Sequence, residues 1–489
     1  MEALVRRHVL VLSTVAAALL CCAGGAPAAD IGANDDTGKW FPDGGTAFFG
    51  QMASLGLKQA VMSVRWEAGN ESTIPYVVEL DRSIAAATAA GLGVVLAVYP
   101  YPPREIELGR AEPWMFGSFT RHLAERYPQV RQFVIGNEPN QPAFWRPQYS
   151  RRTRANVSAK SFGAFLAAAY DGLKAHDPTL KVIGIGLSPR GNDRARAQSN
   201  VSTSPMRFLA ALGRWYRASG RTAPLMDGLS FHPYPARATD PLERGYPWPA
   251  AGFVNLDRVK QAIWDAFAGT PQPTTLDGLK LYLDEVGWQV DTGLRPEYQG
   301  PENVPVTSEP VQAAIYGEIV RRVACDPDVA QVNFFGFYDD SLRTGFQAGL
   351  HRTDGTPRPS AEAVRLAIAE APVCAATAPW APAQSVVGAT TPRVVSNRRG
   401  LVLIARSGEG ATVVACSLPR GTSRAVALRA LAGRRGAATD CVTGAATPQR
   451  PARIAIARGP ALARGGTLAV ELRSEANPAR RATSVLRFR

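Results

Sequence analysis

The chain has 489 residues, 46% hydrophobic and 20% charged, with 55 basic against 41 acidic residues and a net charge of +14. That balance excludes a disordered or fibrous chain and leaves length enough for a large packed core. From Ala375 onward there are 18 arginines, no lysine and four acids, so this segment alone accounts for the net charge; a neutral body with a basic appendage suits an anionic envelope or polysaccharide better than nucleic acid.

Taken in chain order, the first feature is a targeting pattern over residues 1–29. Arg6 and Arg7 precede an apolar run at 9–23, too short for a comfortable membrane span, and then the small-residue site Ala26-Pro27-Ala28. The reading is an exported protein, with a composition that suggests a bacterial source. Four cysteines follow the segment: Cys325, Cys374, Cys416 and Cys441. They allow three connectivities, and Cys325–Cys374 with Cys416–Cys441 is favoured because each pair then lies within one domain. No Cys-x-x-Cys or His-rich spacing occurs, so no metal or cofactor is expected.

From residue 30 to about 371, short β-branched runs alternate with amphipathic helical patterns. Strands are predicted at 30–33, 59–64, 93–98, 132–136, 181–186, 228–231, 280–284 and 331–337. Helices are predicted at 46–55, 77–90, 114–126, 159–175, 205–218, 256–267, 309–323 and 360–370. Eight strands alternating with eight helices point to a (β/α)8 barrel over residues 30–374. A doubly wound open sheet is the alternative, weakened by the lack of Gly-x-Gly-x-x-Gly after the first strand. Past Pro379-Trp380-Ala381-Pro382 the texture changes. Short runs at 393–395, 401–405, 412–415, 425–430, 454–456 and 467–472 predict a small all-β, sandwich-like domain over 375–489. Its only aromatic beyond Val386 is Phe488, which offers no sugar-stacking platform.

Two acids stand at the ends of predicted barrel strands, where barrel loops build sites. Phe133-Val134-Ile135-Gly136-Asn137-Glu138-Pro139 ends the fourth, and Leu281-Tyr282-Leu283-Asp284-Glu285-Val286-Gly287-Trp288 the seventh. Two such carboxyl groups are what glycosidic bond cleavage needs. The pattern resembles the clan A retaining glycoside hydrolases, the barrel group that includes families 5 and 39. The resemblance covers about residues 30–371. It implies that Glu138 is the acid/base, Glu285 the nucleophile, and Asn137 a donor to the substrate's 2-hydroxyl. It further implies that Tyr234, in Ser230-Phe231-His232-Pro233-Tyr234, hydrogen-bonds Glu285, that His232 lines the same subsite, and that Arg65 donates to Glu285 and lowers its pKa. Glu285 should then be ionised and Glu138 protonated.

The clan's Trp at the end of strand 8 is missing from Asn333-Phe334-Phe335-Gly336-Phe337-Tyr338, where Phe337 or Tyr338 is the candidate substitute. Trp288 is a candidate stacking face; Trp66, Tyr99, Tyr101, Phe144, Trp145, Tyr246 and Trp248 also stand near strand ends. Asp284 should point to the opposite face of its strand from Glu285. The expected activity is retaining hydrolysis of β-glycosidic bonds in a glycan. The alternatives are an inverting hydrolase, with carboxyl groups about 6.5–9.5 Å apart, and a non-catalytic carbohydrate-binding or envelope-associated protein on a degenerate barrel. Sugar specificity falls to loops at 141–158, 189–204, 235–255 and 291–307, and the Arg and Asn content of the second suits an acidic glycan.

Overall fold

A computed structural model describes residues 29–370, 374, 378–397, 400–432, 440–456 and 466–487. Residues 1–28 of the targeting pattern and Phe488 thus lie outside the described residues. Eight parallel strands close into a barrel in sequence order: β1 (Asp30–Asn34), β2 (Gln59–Trp66), β3 (Gly93–Pro100), β4 (Gln132–Ile135), β5 (Lys181–Leu187), β6 (Gly228–Phe231), β7 (Lys280–Val286) and β8 (Val329–Phe335). Helices α1 (Thr46–Ser54), α2 (Val77–Ala89), α3 (Pro103–Glu107), α4 (Pro113–Arg126), α5 (Ser158–His176), α6 (Pro205–Ser219), α7 (Leu256–Phe267), α8 (Glu309–Ala324) and α9 (Pro359–Ala369) lie among them. The short α3 has no counterpart in the sequence reading.

Local chemistry explains these elements. Helix α2 buries Leu80, Ser83, Ile84 and Ala87, the three-and-four spacing of one helical face. Proline occupies the first turn of α4, α6, α8 and α9, where its missing N–H leaves no bond unmade. Inside the barrel, Val61, Val95, Ala97, Val134 and Ile183 form one apolar layer with Tyr282 against it. Near it Gln331 donates to Gln132 at 2.6 Å.

The C-terminal region holds β9 (Arg393–Asn397), β10 (Gly400–Ala405), β11 (Ala411–Leu418), α10 (Arg424–Leu431), β12 (Asp440–Ala446), β13 (Ala452–Ile456), β14 (Thr467–Ser474) and β15 (Arg481–Arg487). The strands make two antiparallel sheets, β13-β10-β9 and β12-β11-β14-β15. Leu403, Val413, Ile454 and Leu468 are among the residues packed between them. Residues 425–430, expected as a strand, are helical. Ser423 caps α10, its hydroxyl accepting from the Val426 N–H, and Ala, Leu and Arg are strong helix formers. Ala427, Ala430 and Leu431 cover the outer face of the second sheet at Cys416, Leu418 and Ala469. Disulfides join Cys325 to Cys374 and Cys416 to Cys441.

Arg480 locks this region to the barrel. Its guanidinium makes two bonds to Asp265 of α7, at 2.8 and 2.7 Å, and two to Glu409, both at 2.7 Å. It also donates to Ser385 O and Ser474 Oγ. The side chains of Arg480 and Asp265 are each 2% exposed and that of Glu409 7%. Trp248 is buried in the same contact: the Arg207 guanidinium lies 5.1 Å from its ring centroid, and its carbonyl accepts from Gln449.

Candidate active site

The chain leaves β4 through a forced turn. Gly136 has φ +106°, and a Cβ there would meet Ile185 O at 2.6 Å, so glycine is required. Glu138 follows with φ +42°, a left-handed conformation that costs a non-glycine residue on the order of 1–2 kcal/mol. Its N–H donates to Gly186 O at 2.7 Å. The turn sets Asn137 and Glu138 in the wall of a cleft of about 1120 Å3 at the C-terminal end of the barrel. Among the described residues the Asn137 amide has no side-chain hydrogen bond, which leaves it available to a ligand.

On β7 the alternation of faces places Tyr282 and Asp284 toward the barrel interior. The register of β7 on β8 shifts between Leu283 and Val286. A bulge of this kind re-aims a side chain, and Glu285, which strict alternation would turn outward, faces the cleft. The expectation that Asp284 points the other way from Glu285 needs this correction: both carboxylates reach one ring. His232 Nδ1 lies 3.3 Å from Glu138 Oε1 and 3.3 Å from Glu285 Oε2, and its Nε2 lies 3.3 Å from Asp284 Oδ1. Asp284 also accepts from the Ser230 hydroxyl.

His232 is 1% exposed. It sits beneath the two carboxylates and does not line the subsite as expected. Burial alone would push its pKa down, but the charges of Glu285 and Asp284, with bonds to Asp284 and Glu138, hold it well above 6.5. The Glu138 and Glu285 oxygens, each 3.3 Å from one nitrogen, are less than twice that distance apart.

The Tyr234 hydroxyl donates to Glu285 Oε2 at 3.0 Å, as expected. Burial, then the charges of Glu285 and Glu138, raise the Tyr234 pKa well above 10, so it stays a donor. Arg65 does not pair with Glu285. It is the register neighbour of Tyr99 on β3; its Nε donates to the Tyr99 hydroxyl at 3.1 Å and its guanidinium lies 5.2 Å from the Tyr101 ring centroid. Cross-strand neighbours on one face meet first. The expectation of a low Glu285 pKa therefore fails: burial raises it to about 7, against the lowering effects of His232 and Tyr234, and Glu138 and Asp284 add to the rise.

The aromatic expectations divide. Tyr338 lines the cleft, its hydroxyl donating to Gln51 at 2.7 Å, with its ring stacked on Phe337. Phe337 itself is fully buried. Trp288 is no stacking face: it is 2% exposed in the main core, and its Nε1 donates to Asp240 O. The turn after β7 folds it back over α8, where its N–H meets the Tyr316 hydroxyl. Trp66, Trp145 and Tyr246 are also buried, while Tyr99 and Phe144 line the cleft.

No protein-family model and no curated protein matches the chain. Solved structures to which it is similar include a family 39 glycoside hydrolase from the gut symbiont Bacteroides cellulosilyticus WH2, with 15% identity over 88% of this chain and 82% of that one and a TM-score of 0.47. Another is a GH5_18 structure from Streptomyces cattleya in complex with GlcNAc, with 16% identity over 72% and 83% and a TM-score of 0.48. A glucosidase from Croceicoccus marinus shares 12% identity over 88% and 92%, with a TM-score of 0.47.

Two aromatics that the sequence reading passed over line the same cleft as Glu285 and pack near Tyr234. Phe335 ends β8, its ring 6.3 Å from that of Tyr234, and Phe346 lies 5.0 Å from Phe335 and 5.8 Å from Tyr234. Parity was the available signal for Phe335, since Gln331, Asn333 and Phe335 share the interior face of β8. Phe346 lies in a loop, and nothing in the pattern marks it.

Proposed function

We propose that this chain is an exported retaining glycoside hydrolase that cuts β-glycosidic bonds by double displacement, with Glu138 as acid/base and Glu285 as nucleophile. One observation carries the reading: His232 Nδ1 lies 3.3 Å from an oxygen of each carboxylate at the mouth of the barrel. That spacing supports a nucleophile close to the anomeric carbon over an inverting pair with a water between. Export is supported by the targeting pattern and by two disulfides.

Glu285 attacks the anomeric carbon while Glu138 gives its proton to the departing oxygen, and a glycosyl ester forms on Glu285. Glu138, now a carboxylate, takes a proton from water, which attacks the ester and restores both groups. Tyr234 donates to Glu285, which favours the charged form of the nucleophile. The Asn137 amide, which lines the cleft, serves as donor to the 2-hydroxyl, and Phe335 with Phe346 stands in for the missing strand-8 Trp as an apolar wall.

Glu138→Ala should lose most of its rate on poor leaving groups, keep activity on 2,4-dinitrophenyl glycosides, and regain rate with azide. Trapping with a 2-fluoro sugar should label Glu285. Undiminished activity in Glu138→Ala would sink the acid/base role, and absence of label in an active enzyme would sink the nucleophile.

The pH profile follows from Glu285. Attack needs the carboxylate, so kcat/KM should rise through an acid limb near pH 7. Tyr234→Phe removes a bond to the charged form. The limb should therefore move to higher pH, and the plateau should fall by roughly 10- to 100-fold. A limb that stays in place would show that Tyr234 does not act on Glu285.

A further inference from the structure

Beside the catalytic cleft lies a second cavity, of about 830 Å3, lined by Arg154, Arg194, Arg196, Asn192, Gln198 and Asn200 among others, with no acid in its wall. Asn192 and Asn200 also line the cleft, so the two spaces adjoin. Elsewhere on the barrel, arginines are commonly held by acids, as in Arg126–Asp81, Arg131–Asp177, Arg221–Asp171 and Arg352–Glu309. Among the described residues, Arg154, Arg194 and Arg196 form no ion pair. The one acid on their loop, Asp193, is already taken by Arg207 at 3.0 Å and by the Ser204 N–H at 2.8 Å.

The loops that carry these arginines are fixed in place. Thr203 is the pin. Its N–H donates to Asn140 O, its carbonyl accepts from Asn140 Nδ2, and its hydroxyl takes a bond from Asn156 and gives one to Gln148. Asn156 stands two residues from Arg154, so both arms of the cavity meet at Thr203. Gly191 packs so closely on this point that a Cβ would come 2.1 Å from Thr203 C. Guanidinium groups on a braced frame lose less freedom on binding, and their fork suits carboxylate and sulfate oxygens. Asn140 is two residues past Glu138, so the cavity lies on the side of the acid/base and hence of the leaving group.

We infer that the substrate is an anionic glycan whose carboxylate or sulfate groups seat in this cavity on the leaving-group side of the bond. The placement on that side rests on the reading of Glu138 as acid/base.

Affinity electrophoresis of the full mature chain tests it, in gels containing polygalacturonate, alginate, dextran sulfate or neutral hydroxyethylcellulose. Glu285→Gln in the same background prevents digestion. Retardation by a uronate polymer or by the sulfated one, and not by the neutral one, is expected, and the responding polymer tells carboxylate from sulfate. The triple variant R154Q/R194Q/R196Q should lose roughly tenfold in affinity with an unchanged Tm. The triple R420Q/R424Q/R450Q, which removes equal charge from the C-terminal region, should keep it. Equal retardation by neutral and anionic gels, or equal loss in the two triples, would overturn the inference. Wild-type turnover by Glu285→Gln would instead sink the hydrolase reading and leave the retardation result standing.

Discussion

Glu285→Gln is expected to abolish turnover, lowering kcat by on the order of 10^4 or more, as loss of a covalent catalytic group does. An amide keeps the shape and can still accept from Tyr234, but it cannot form the glycosyl ester. Fold integrity has an independent readout. Burial raises the Glu285 pKa to about 7 in the folded state, above the usual carboxylate value. Its ionised form is therefore penalised on folding. That cost is absent below the unfolded pKa, grows as pH rises, and is complete above about pH 7. Removing the group should leave thermal stability at pH 8 no lower than wild type. A dead enzyme with an intact melting transition carries the assignment, and wild-type turnover would end it.

The largest effect on stability is expected at Arg480→Met. The side chain joins Asp265 of the barrel to Glu409 of the C-terminal region. Without it two like-charged carboxylates remain buried and unpaired, at a cost of about 3–5 kcal/mol. Asp265 already has a raised pKa, because burial outweighs Arg480. In the variant Asp265 should titrate higher still, so the deficit should shrink as pH falls and it takes up a proton. Urea unfolding at pH 8 and pH 5 measures this. A deficit that does not change with pH would mean that lost packing, not unpaired charge, is responsible. The triple Arg480→Met/Asp265→Leu/Glu409→Leu should recover most of the loss, since an apolar cluster can replace a buried ionic one.

The barrel was legible because its signals are periodic. Leu80, Ile84 and Ala87 repeat on one helical face, and the β-branched runs of β2, β3 and β5 stand between turn residues. The C-terminal region was less so. Strand β12, Asp-Cys-Val-Thr-Gly-Ala-Ala, carries Gly and Ala where strand formers are expected, and β15 reads as a charged, partly exposed edge. At the site, the motifs located Glu138, Glu285 and the Tyr234 contact. They did not locate the partner of Arg65, which depends on Tyr99 lying beside it across the sheet. Nor did they foretell the depth of Trp288, set by a turn, or the convergence of Asp284 and Glu285, set by a register shift that leaves no trace in residue type. The pKa of Glu285 was misjudged for the same reason: its sign follows from burial, which belongs to the assembled barrel.

His232 meets Glu138 and Glu285 on one side and the interior acid Asp284 on the other, with almost none of its surface open to solvent. A charge sealed in this way is screened far less by dissolved ions than one at the surface. The ring that meets Glu138, Glu285 and Asp284 is thus part of the scaffold and cannot be exchanged for sodium or displaced by it. Brine that weakens every contact on the outer rim leaves the inner balance of charge as it was.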